Sequence, residues 1–261
     1  MDNQSQTPPK RRTHIGMSSF EKGIFTESLI FHIPHSSIHI PFTTGFDLSL
    51  IQSQINLLTD VGTDLIFNVP HTERLVTPFS RVFCDVERLP DDEEEMFKSG
   101  RGFFYTHCDN GDLLREDIDG IKQKIYEGYY VKHHQKLEQM IEERIEAVGS
   151  ATIIDCHSFT NTPFETDLTQ SGVRPDICIG TSKTHTPDWL LNRVYNFYKD
   201  SGAKVEINFP YSGTIVPKKF ENNVHVRSIM IEINRDLYQI NGKTSMPHIE
   251  HLNKQVVELF D

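Results

Sequence analysis

The feature that most constrains the fold is a series of short, nearly continuous apolar runs. Three of them are 151–156 (ATIIDC), 177–181 (ICIGT) and 228–235 (SIMIEINR). Runs of this length are typical of strands that are covered on both faces. Helical patterns over 113–147 and from Asp188 onward separate these runs. The alternation predicts an α/β fold, a three-layer α/β/α sandwich with a mixed, mostly parallel sheet.

Further elements of the predicted sandwich lie elsewhere in the chain. The segment from Ser28 (SLIFHIP) is predicted to be a strand that ends in a polar turn, and 203–208 (AKVEIN) is another. Apolar residues at helical spacing predict a helix over 47–68. The stretch 91–111 is acidic and then rich in glycine and aromatic residues. Its length favours a functional loop or a lid.

The chain divides into a tail and one domain. Residues 1–24 are largely polar, contain prolines and include the basic cluster Lys10-Arg11-Arg12. This composition predicts a flexible N-terminal tail over 1–24. The 261 residues suit one large domain, which we place at 25–261.

Charge, hydropathy and cysteine usage exclude some classes of partner. The formal net charge of −11 argues against a nucleic-acid-binding protein, which normally presents a basic face. No apolar run approaches the ~20 residues that a membrane span needs. The four cysteines are spread out without a CxxC pair, and the N-terminus shows no secretory signal. We therefore expect buried, reduced cysteines in a cytoplasmic protein.

Polar residues stand where several predicted strands end. His35 follows the first strand, and Asp155 and His157 end a central one. Glu232 closes the SIMI run, and Asn208 follows KVEI. Ligands of open α/β sheets bind at the carboxyl ends of the strands. We therefore expect these five side chains to lie at one edge of the sheet.

The residue types at this edge suit a catalytic zinc ion. Such an ion is commonly held by two histidines and a carboxylate, with one position left for water. His35 and His157 offer the nitrogens. Asp60 and Asp64, four residues apart on one face of the predicted helix, both offer the carboxylate. Glu232 can serve as the general base.

Each of these residues also has a structural interpretation. A histidine at a strand end is more often a hydrogen-bonded structural residue than a ligand. Asp60 could be a solvated helix residue, and Glu232 could form an ion pair with Arg235. Nine other histidines have no comparable context and are predicted to be surface or packing residues: His32, His39, His71, His107, His133, His185, His225, His248 and His251.

Six motifs occur in an order that is similar to a known family. They are PHSS, TDVGTDL, SRVFCDVER, DCHSF, NFPYSGTIV and IEINRDLY, from about Phe31 to Tyr238. In these motifs the chain resembles the N-formylglutamate amidohydrolase family. The resemblance implies hydrolysis of N-formyl-L-glutamate to formate and glutamate. It also implies a fold similar to the phosphorylase/hydrolase-like fold of zinc carboxypeptidases.

The resemblance further implies roles for individual residues. It implies one zinc ion with His35 and His157 as ligands, Asp60 as the third ligand and Asp64 as the reserve. It implies Glu232 as the general base. An arginine fork suits the carboxylate of a small N-acyl amino acid, although Arg88 could instead pair with Asp85. The residues that the resemblance places at the substrate are Arg81, Arg88, Asn208, Tyr211, Ser212 and Arg235.

The chain also departs from the family. Glu87 stands where the family usually has asparagine, Asp155 and Cys156 precede His157 where an alanine is common, and Ser37 replaces a glycine. These departures leave the metal chemistry intact and widen the possible substrates to other N-formyl or N-acyl amino acids. Two alternatives remain: a zinc carboxypeptidase or peptidoglycan-type amidase, and a non-catalytic binding protein of the same fold.

Overall fold

A six-stranded sheet forms the centre of the protein. The computed structural model describes residues 23, 25–90, 93–170 and 172–261. The predicted tail over 1–24 lies outside the described residues except for Gly23 and stays a prediction. The strands of the sheet are β1 Leu29–Ile33, β2 Glu73–Val76, β3 Ala151–Phe159, β4 Ile177–Thr181, β5 Val205–Ile207 and β6 Val226–Asn234.

The direction of the strands confirms the mixed, mostly parallel sheet. The order across the sheet is β2-β1-β3-β6-β4-β5. From β2 to β6 all neighbours are parallel, β4 is antiparallel to β6, and β5 is parallel to β4. The carboxyl ends of β1, β3 and β6 therefore lie at one edge. A separate ribbon consists of β7 Gln239–Ile240 and β8 Lys243–Thr244.

Helices cover both faces of the sheet, which confirms the three layers. They are α1 Ile51–Leu58, α2 Thr63–Ile66, α3 Ile121–Ile125, α4 Val131–Val148, α5 Asp188–Asp200 and α6 Met246–Phe260. One face, with Phe31 and Ile154, packs against α5 and α6. The other face, with Ile30 and Ile153, packs against α4.

Four polar side chains share the face that α4 covers. Successive residues of a strand point to opposite faces, so His32, Asp155, His157 and Glu232 alternate with the apolar residues that pack on α5 and α6. The register places His32 beside Asp155 and His157 beside Glu232. The pairing of strands thus brings together residues that are up to 200 positions apart in the sequence.

The helix predicted over 47–68 is wrong as a continuous element. The chain forms α1 and α2 with a break between them, in which Thr59 is extended and Gly62 has a φ of 85°. A side chain at Gly62 would also meet Cδ1 of Ile249 at 2.8 Å, so this position requires glycine. The backbone N–H of Asp60 donates to the carbonyl of His35 at 3.0 Å. Asp60 therefore lies in the break and does not share a helix face with Asp64.

The long helical pattern over 113–147 is confirmed only from Ile121. There α3 leads through a π-helical turn, Tyr126–Tyr130, into α4. The first residues of the pattern lie in a loop, where Leu113 bridges to His107. Gly149, with a φ of 81°, ends the helix.

The loop over 91–111 is anchored through its second half. Phe103, Phe104, Tyr105 and Cys108 are buried in an apolar cluster with α1 and α3. Asp91 and Asp92 lie outside the described residues, so the acidic start of the predicted lid is not placed. Among the described helices, none has the length and apolar content to cross a membrane.

Candidate active site

A cavity of about 570 Å³ opens at the carboxyl ends of β1, β3 and β6. Its size lies within the usual range of small-molecule sites. The floor contains His35, Asp60, His157 and Glu232, and loops that contain Arg88, Phe164 and Tyr211 contribute to the walls. The predicted edge of the sheet is therefore concave and carries ionisable groups.

Three floor residues form a group that could hold a metal ion. One ligand atom from each of His35, Asp60 and His157 lies within 4.8 Å of the others, and all three residues are buried. Nδ1 of His157 lies 3.3 Å from Oδ2 of Asp60, and Nδ1 of His35 lies 3.7 Å from the same oxygen. Two imidazole nitrogens therefore face one carboxylate oxygen.

The outer nitrogen of each histidine is bound to a carboxylate. Nε2 of His35 lies 2.9 Å from Oδ1 of Asp85. Nε2 of His157 lies 2.9 Å from Oε2 of Glu87 and 3.2 Å from Oδ1 of Asp155. Because an ionised carboxylate only accepts, both Nε2 atoms carry the proton and donate it. In a neutral imidazole whose proton is on Nε2, the inner Nδ1 carries a lone pair, which is the orientation of metal-binding imidazoles.

The inner nitrogen of His35 shows that the group fits a cation. His35 Nδ1 is buried and has no hydrogen-bond partner among the described residues. An unpaired buried acceptor costs free energy, and a bound metal ion would give this lone pair a partner. Two nitrogens and a carboxylate oxygen are the donor set of many catalytic zinc sites.

Arg235 orients Asp60 rather than facing the cavity. Its Nη2 donates to Oδ1 of Asp60 at 2.8 Å, its Nε donates to Oγ of Ser158 at 3.1 Å, and its Nη1 donates to the carbonyl of Leu57 at 3.0 Å. Within the described chain, Arg235 is not among the residues that line the cavity. The geometry thus disagrees with the substrate-binding position predicted for Arg235, and also with the alternative ion pair to Glu232. Burial raises the pKa of Asp60, but the neighbouring imidazoles of His157 and His35 and the charge of Arg235 hold it well below its ordinary value.

Glu232 stands next to the metal-binding group with a free oxygen. It pairs with His157 across β3 and β6 and lines the cavity. The side chain is largely buried, and its Oε2 has no hydrogen-bond partner in the described structure. Burial raises the pKa of Glu232 to about 8, and the charge of His157 opposes this shift.

Two of the arginines on the cavity wall, Arg81 and Arg88, are held differently. Nε and Nη2 of Arg81 donate to Oδ2 of Asp85 at 3.1 and 2.8 Å. Nε of Arg88 lies 3.8 Å from Asp85, and Nη1 of Arg88 lies 3.5 Å from Glu94. The Arg88 side chain is 31% exposed and lines the cavity. Arg88 therefore has donors available to a ligand, whereas Arg81 mainly holds Asp85.

The chain over 208–216 returns across the face of the sheet. The prediction that Asn208 shares the carboxyl edge is wrong, because β4 and β5 run opposite to β6. Asn208 binds the backbone and hydroxyl of Thr181 at 2.9 and 2.8 Å. Farther along, Ile215 N donates to Asp155 Oδ2 at 3.1 Å. The return path makes Asn208, Tyr211 and Ser212 part of the cavity wall.

The sequence does not predict the positions of two residues that contact the polar side chains at this edge of the sheet, His32 and Glu87. His32, predicted to be a surface or packing residue, is buried, and its Nδ1 lies 2.9 Å from Asp155 and 3.4 Å from Glu87. Glu87 was noted only as a departure from the family. Alternation along the first strand could have suggested the face of His32. The strand register, which makes Asp155 its neighbour, is not readable from the sequence.

Asp64 lies outside the metal-binding group. Its backbone carbonyl accepts a hydrogen bond from Arg74 at 2.9 Å. It is absent from both groups of described residues that could hold a metal ion and from the described cavity lining. Of the two aspartates that the sequence left open, only Asp60 faces the histidines.

A family profile matches most of the chain. Residues 27–239 match the sequence profile of the N-formylglutamate amidohydrolase family. No curated protein sequence matches the chain significantly.

Two solved structures have a similar fold. The crystal structure of an N-formylglutamate amidohydrolase from Ralstonia eutropha JMP134 aligns with a TM-score of 0.75 and 21% identity, covering 89% of this chain and 91% of that one. A gene product from Agrobacterium tumefaciens aligns with a TM-score of 0.65 and 19% identity, covering 89% and 88%. At these identities the structures show the shared α/β fold.

Proposed function

Because this chain belongs to the N-formylglutamate amidohydrolase family, and is therefore an amidohydrolase, we propose that it is zinc-dependent. The bond to be cleaved is an N-formyl or N-acyl amide on an acidic amino acid. N-formyl-L-glutamate, which would give formate and L-glutamate, is the first substrate to test. The observation that carries the proposal is the convergence of two Nδ1 atoms on Oδ2 of Asp60 beside the free oxygen of Glu232.

His35, Asp60 and His157 would hold the zinc ion. When bound, zinc supplies Lewis-acid chemistry and lowers the pKa of water. The carboxylates of Asp85, Glu87 and Asp155 keep the two imidazoles in the metal-binding tautomer. Arg235 keeps Asp60 ionised and fixes its orientation.

Glu232 would move the proton. Its free Oε2 accepts a proton from the attacking water, whose oxygen adds to the carbonyl carbon. The carbon–nitrogen bond then breaks, and Glu232 delivers the proton to the leaving nitrogen, so that the products are a carboxylic acid and an amine. A pKa of about 8 lets the group accept and return a proton near neutral pH.

Arg88 would bind a carboxylate of the substrate. It is the wall arginine that Asp85 and Glu94 hold only at 3.5 to 3.8 Å, and a guanidinium binds a carboxylate in a bidentate manner. Tyr211 stands on another part of the wall, where its hydroxyl is bound to Asp167 at 3.0 Å. These positions suit a small anionic substrate.

The loop contacts favour a bounded cavity over a peptide groove. Arg101, which lines the cavity, donates to Asp109 at 2.9 Å. Asp109 also accepts from the backbone of Glu165 and Thr166 at 2.8 and 3.1 Å. The second half of the 91–111 loop is thereby tied to the loop that follows β3.

We also propose that the protein is located in the reducing cytoplasm, since all four cysteines are buried and unpaired.

The test combines metal analysis with a substrate panel. Purified protein is assayed for bound zinc, and for formate release from N-formyl-L-glutamate with and without a chelator. The panel adds N-formyl-L-aspartate, N-acetyl-L-glutamate, a C-terminal glutamate dipeptide and a peptidoglycan fragment. We expect one zinc per chain and chelator-sensitive cleavage of a formyl or acyl amino acid. No bound zinc together with no cleavage after zinc is added contradicts the proposal. Cleavage of only the dipeptide or the peptidoglycan fragment supports the peptidase or amidase alternative.

A further inference from the structure

We propose that Glu87 is a positioning residue whose carboxylate holds His157 in the orientation that binds metal. This inference rests on the proposed function, because it concerns the same metal site. It differs from it by giving a role to a residue that is not one of the three predicted metal ligands.

The distances make Glu87 the nearest carboxylate to the outer nitrogen of His157. Oε2 of Glu87 lies 2.9 Å from Nε2 of His157 in an ion pair, while Oδ1 of Asp155 lies 3.2 Å from the same nitrogen and accepts its hydrogen bond. Glu87 therefore acts on this imidazole as the closest negative charge. Asp155 already has other donors, since Nδ1 of His32 lies 2.9 Å from its Oδ1 and the N–H of Ile215 lies 3.1 Å from its Oδ2.

One tripeptide supports both predicted histidine ligands. Asp85 binds Nε2 of His35, and Glu87, two residues later, binds Nε2 of His157. The backbone N–H of Glu87 donates to Oδ1 of Asp85 at 3.1 Å, which links the backbone at Glu87 to the Asp85 carboxylate. A displacement of this tripeptide would therefore turn both imidazoles at once.

The tripeptide is itself fixed from the π-helical turn and α4. His134 Nε2 lies 2.8 Å from the carbonyl of Val86 and donates to it. The hydroxyl of Tyr130 donates to the carbonyl of Arg88 at 2.9 Å. Glu87 is thus a carboxylate on a restrained backbone, as a positioning residue requires.

The negative charge of Glu87 matters because the partner is an imidazole. A carboxylate in contact with the outer nitrogen raises the basicity of Nδ1 more than a neutral amide does, and loss of such an outer partner typically weakens metal affinity 10- to 100-fold. Glu95 offers a control, because it is a carboxylate on the wall of the same cavity and forms no ion pair with a histidine in the described part of the chain.

The experiment compares metal-free parent, Glu87→Gln and Glu95→Gln as full-length proteins. Zinc affinity is measured by competition with a chromophoric chelator, and the visible spectrum of the cobalt(II)-loaded protein reports ligand geometry. Denaturant unfolding of the metal-free proteins reports stability. We expect Glu87→Gln to bind zinc about 10- to 100-fold more weakly with an altered cobalt spectrum. We expect Glu95→Gln to bind zinc like the parent.

Three results overturn the inference. The first is a Glu87→Gln variant that binds zinc within about twofold of the parent and changes only in unfolding. The second is a Glu95→Gln variant that loses as much affinity, since the effect would then be one of cavity charge. If Glu87→Gln does not fold, Glu87→Asp replaces it in the test, because this variant keeps the charge but has a shorter side chain. The third result is a Glu87→Asp variant whose zinc affinity and cobalt spectrum are the same as those of the parent. A parent that binds no zinc overturns the proposed function as well, so the two failures are distinguishable.

Discussion

Two groups of histidine and carboxylate side chains lie close together at this edge of the sheet, and they have different surroundings. One consists of His35, Asp60 and His157, and the other of His32, Glu87 and Asp155. His35 has an inner nitrogen without a partner. His32 is bound at both nitrogens, since its Nε2 lies 2.9 Å from Nε2 of His133.

The difference shows that residue types alone do not identify a metal site. Both groups contain residue types that can bind zinc, namely histidine and a carboxylate. His32 and His35 are also only three positions apart in the sequence. The first group lines the cavity with all its members, whereas His32 is not among the described lining residues. A histidine that is bound at both nitrogens stabilises the structure, and an unpaired acceptor at a cavity is where a ligand gains most.

The test with the largest expected effect replaces one histidine of each group by alanine. We expect His35→Ala to lose stoichiometric zinc and to reduce amide hydrolysis to background, because one of three protein ligands is gone. We expect His32→Ala to keep one zinc per chain, bound more weakly through the loss of a contact to Glu87 and Asp155. Metal analysis and formate release measure both. Equal metal loss in the two variants would remove the distinction between the groups.

The next largest effect concerns Glu232. We expect Glu232→Gln to keep its zinc and to lower kcat about 10²- to 10⁴-fold, the range that general acid–base catalysis contributes. KM should change little, because the amide side chain has a similar size. Steady-state kinetics with parallel metal analysis checks this. Full activity in a zinc-loaded Glu232→Gln protein refutes the role of base.

A smaller effect is expected at the wall. Arg88→Met keeps the aliphatic stem and removes the charge, so kcat/KM for an anionic substrate should fall about 10- to 100-fold, the equivalent of losing one charge-assisted hydrogen bond. The loss should be much smaller for a substrate in which that carboxylate is replaced by an amide. An equal loss for both substrates would place the carboxylate elsewhere.

The smallest effect is a pH dependence of stability in the second group. Burial lowers the pKa of His32, but hydrogen bonds and charges from Asp155 and Glu87 outweigh it and raise the pKa to about 9. His133, whose pKa burial and the charge of His32 lower, can accept from the His32 imidazolium. A raised histidine pKa stabilises the fold fully below the unfolded value of about 6.5, and this contribution is lost as the pH rises to about 9.

Unfolding of the metal-free proteins tests this linkage. The difference in unfolding free energy between the parent and His32→Gln should be largest near pH 6 and should shrink between pH 6.5 and 9. His71, an exposed histidine outside both groups, provides the control variant His71→Gln, with which the pH trend of His32→Gln is compared. If the difference in unfolding free energy between the parent and His32→Gln grows with pH, His32 is not protonated in the folded protein.

Much of the fold was predictable because apolar runs report burial directly. The run over 151–156 became β3, in which all nine residues are buried. The helix over 47–68 was wrong because apolar periodicity continues through the break at Thr59 to Gly62, and only the packing of Gly62 against Ile249 requires the turn there. The edge assigned to Asn208 was wrong because the sequence does not give the direction of β4.

The sequence by itself determined which residues end the central strands, and so it placed His35, His157 and Glu232 at one edge. That inference needs only local patterns and the parallel direction of neighbouring strands. The tertiary structure decided between Asp60 and Asp64, turned Arg235 toward Asp60, and separated His35 from His32. These outcomes depend on the strand register and on the path of loops over the sheet, which are set by contacts between distant residues. The same contacts between distant residues decide whether a buried nitrogen has a hydrogen-bond partner. A short sequence motif does not contain that information.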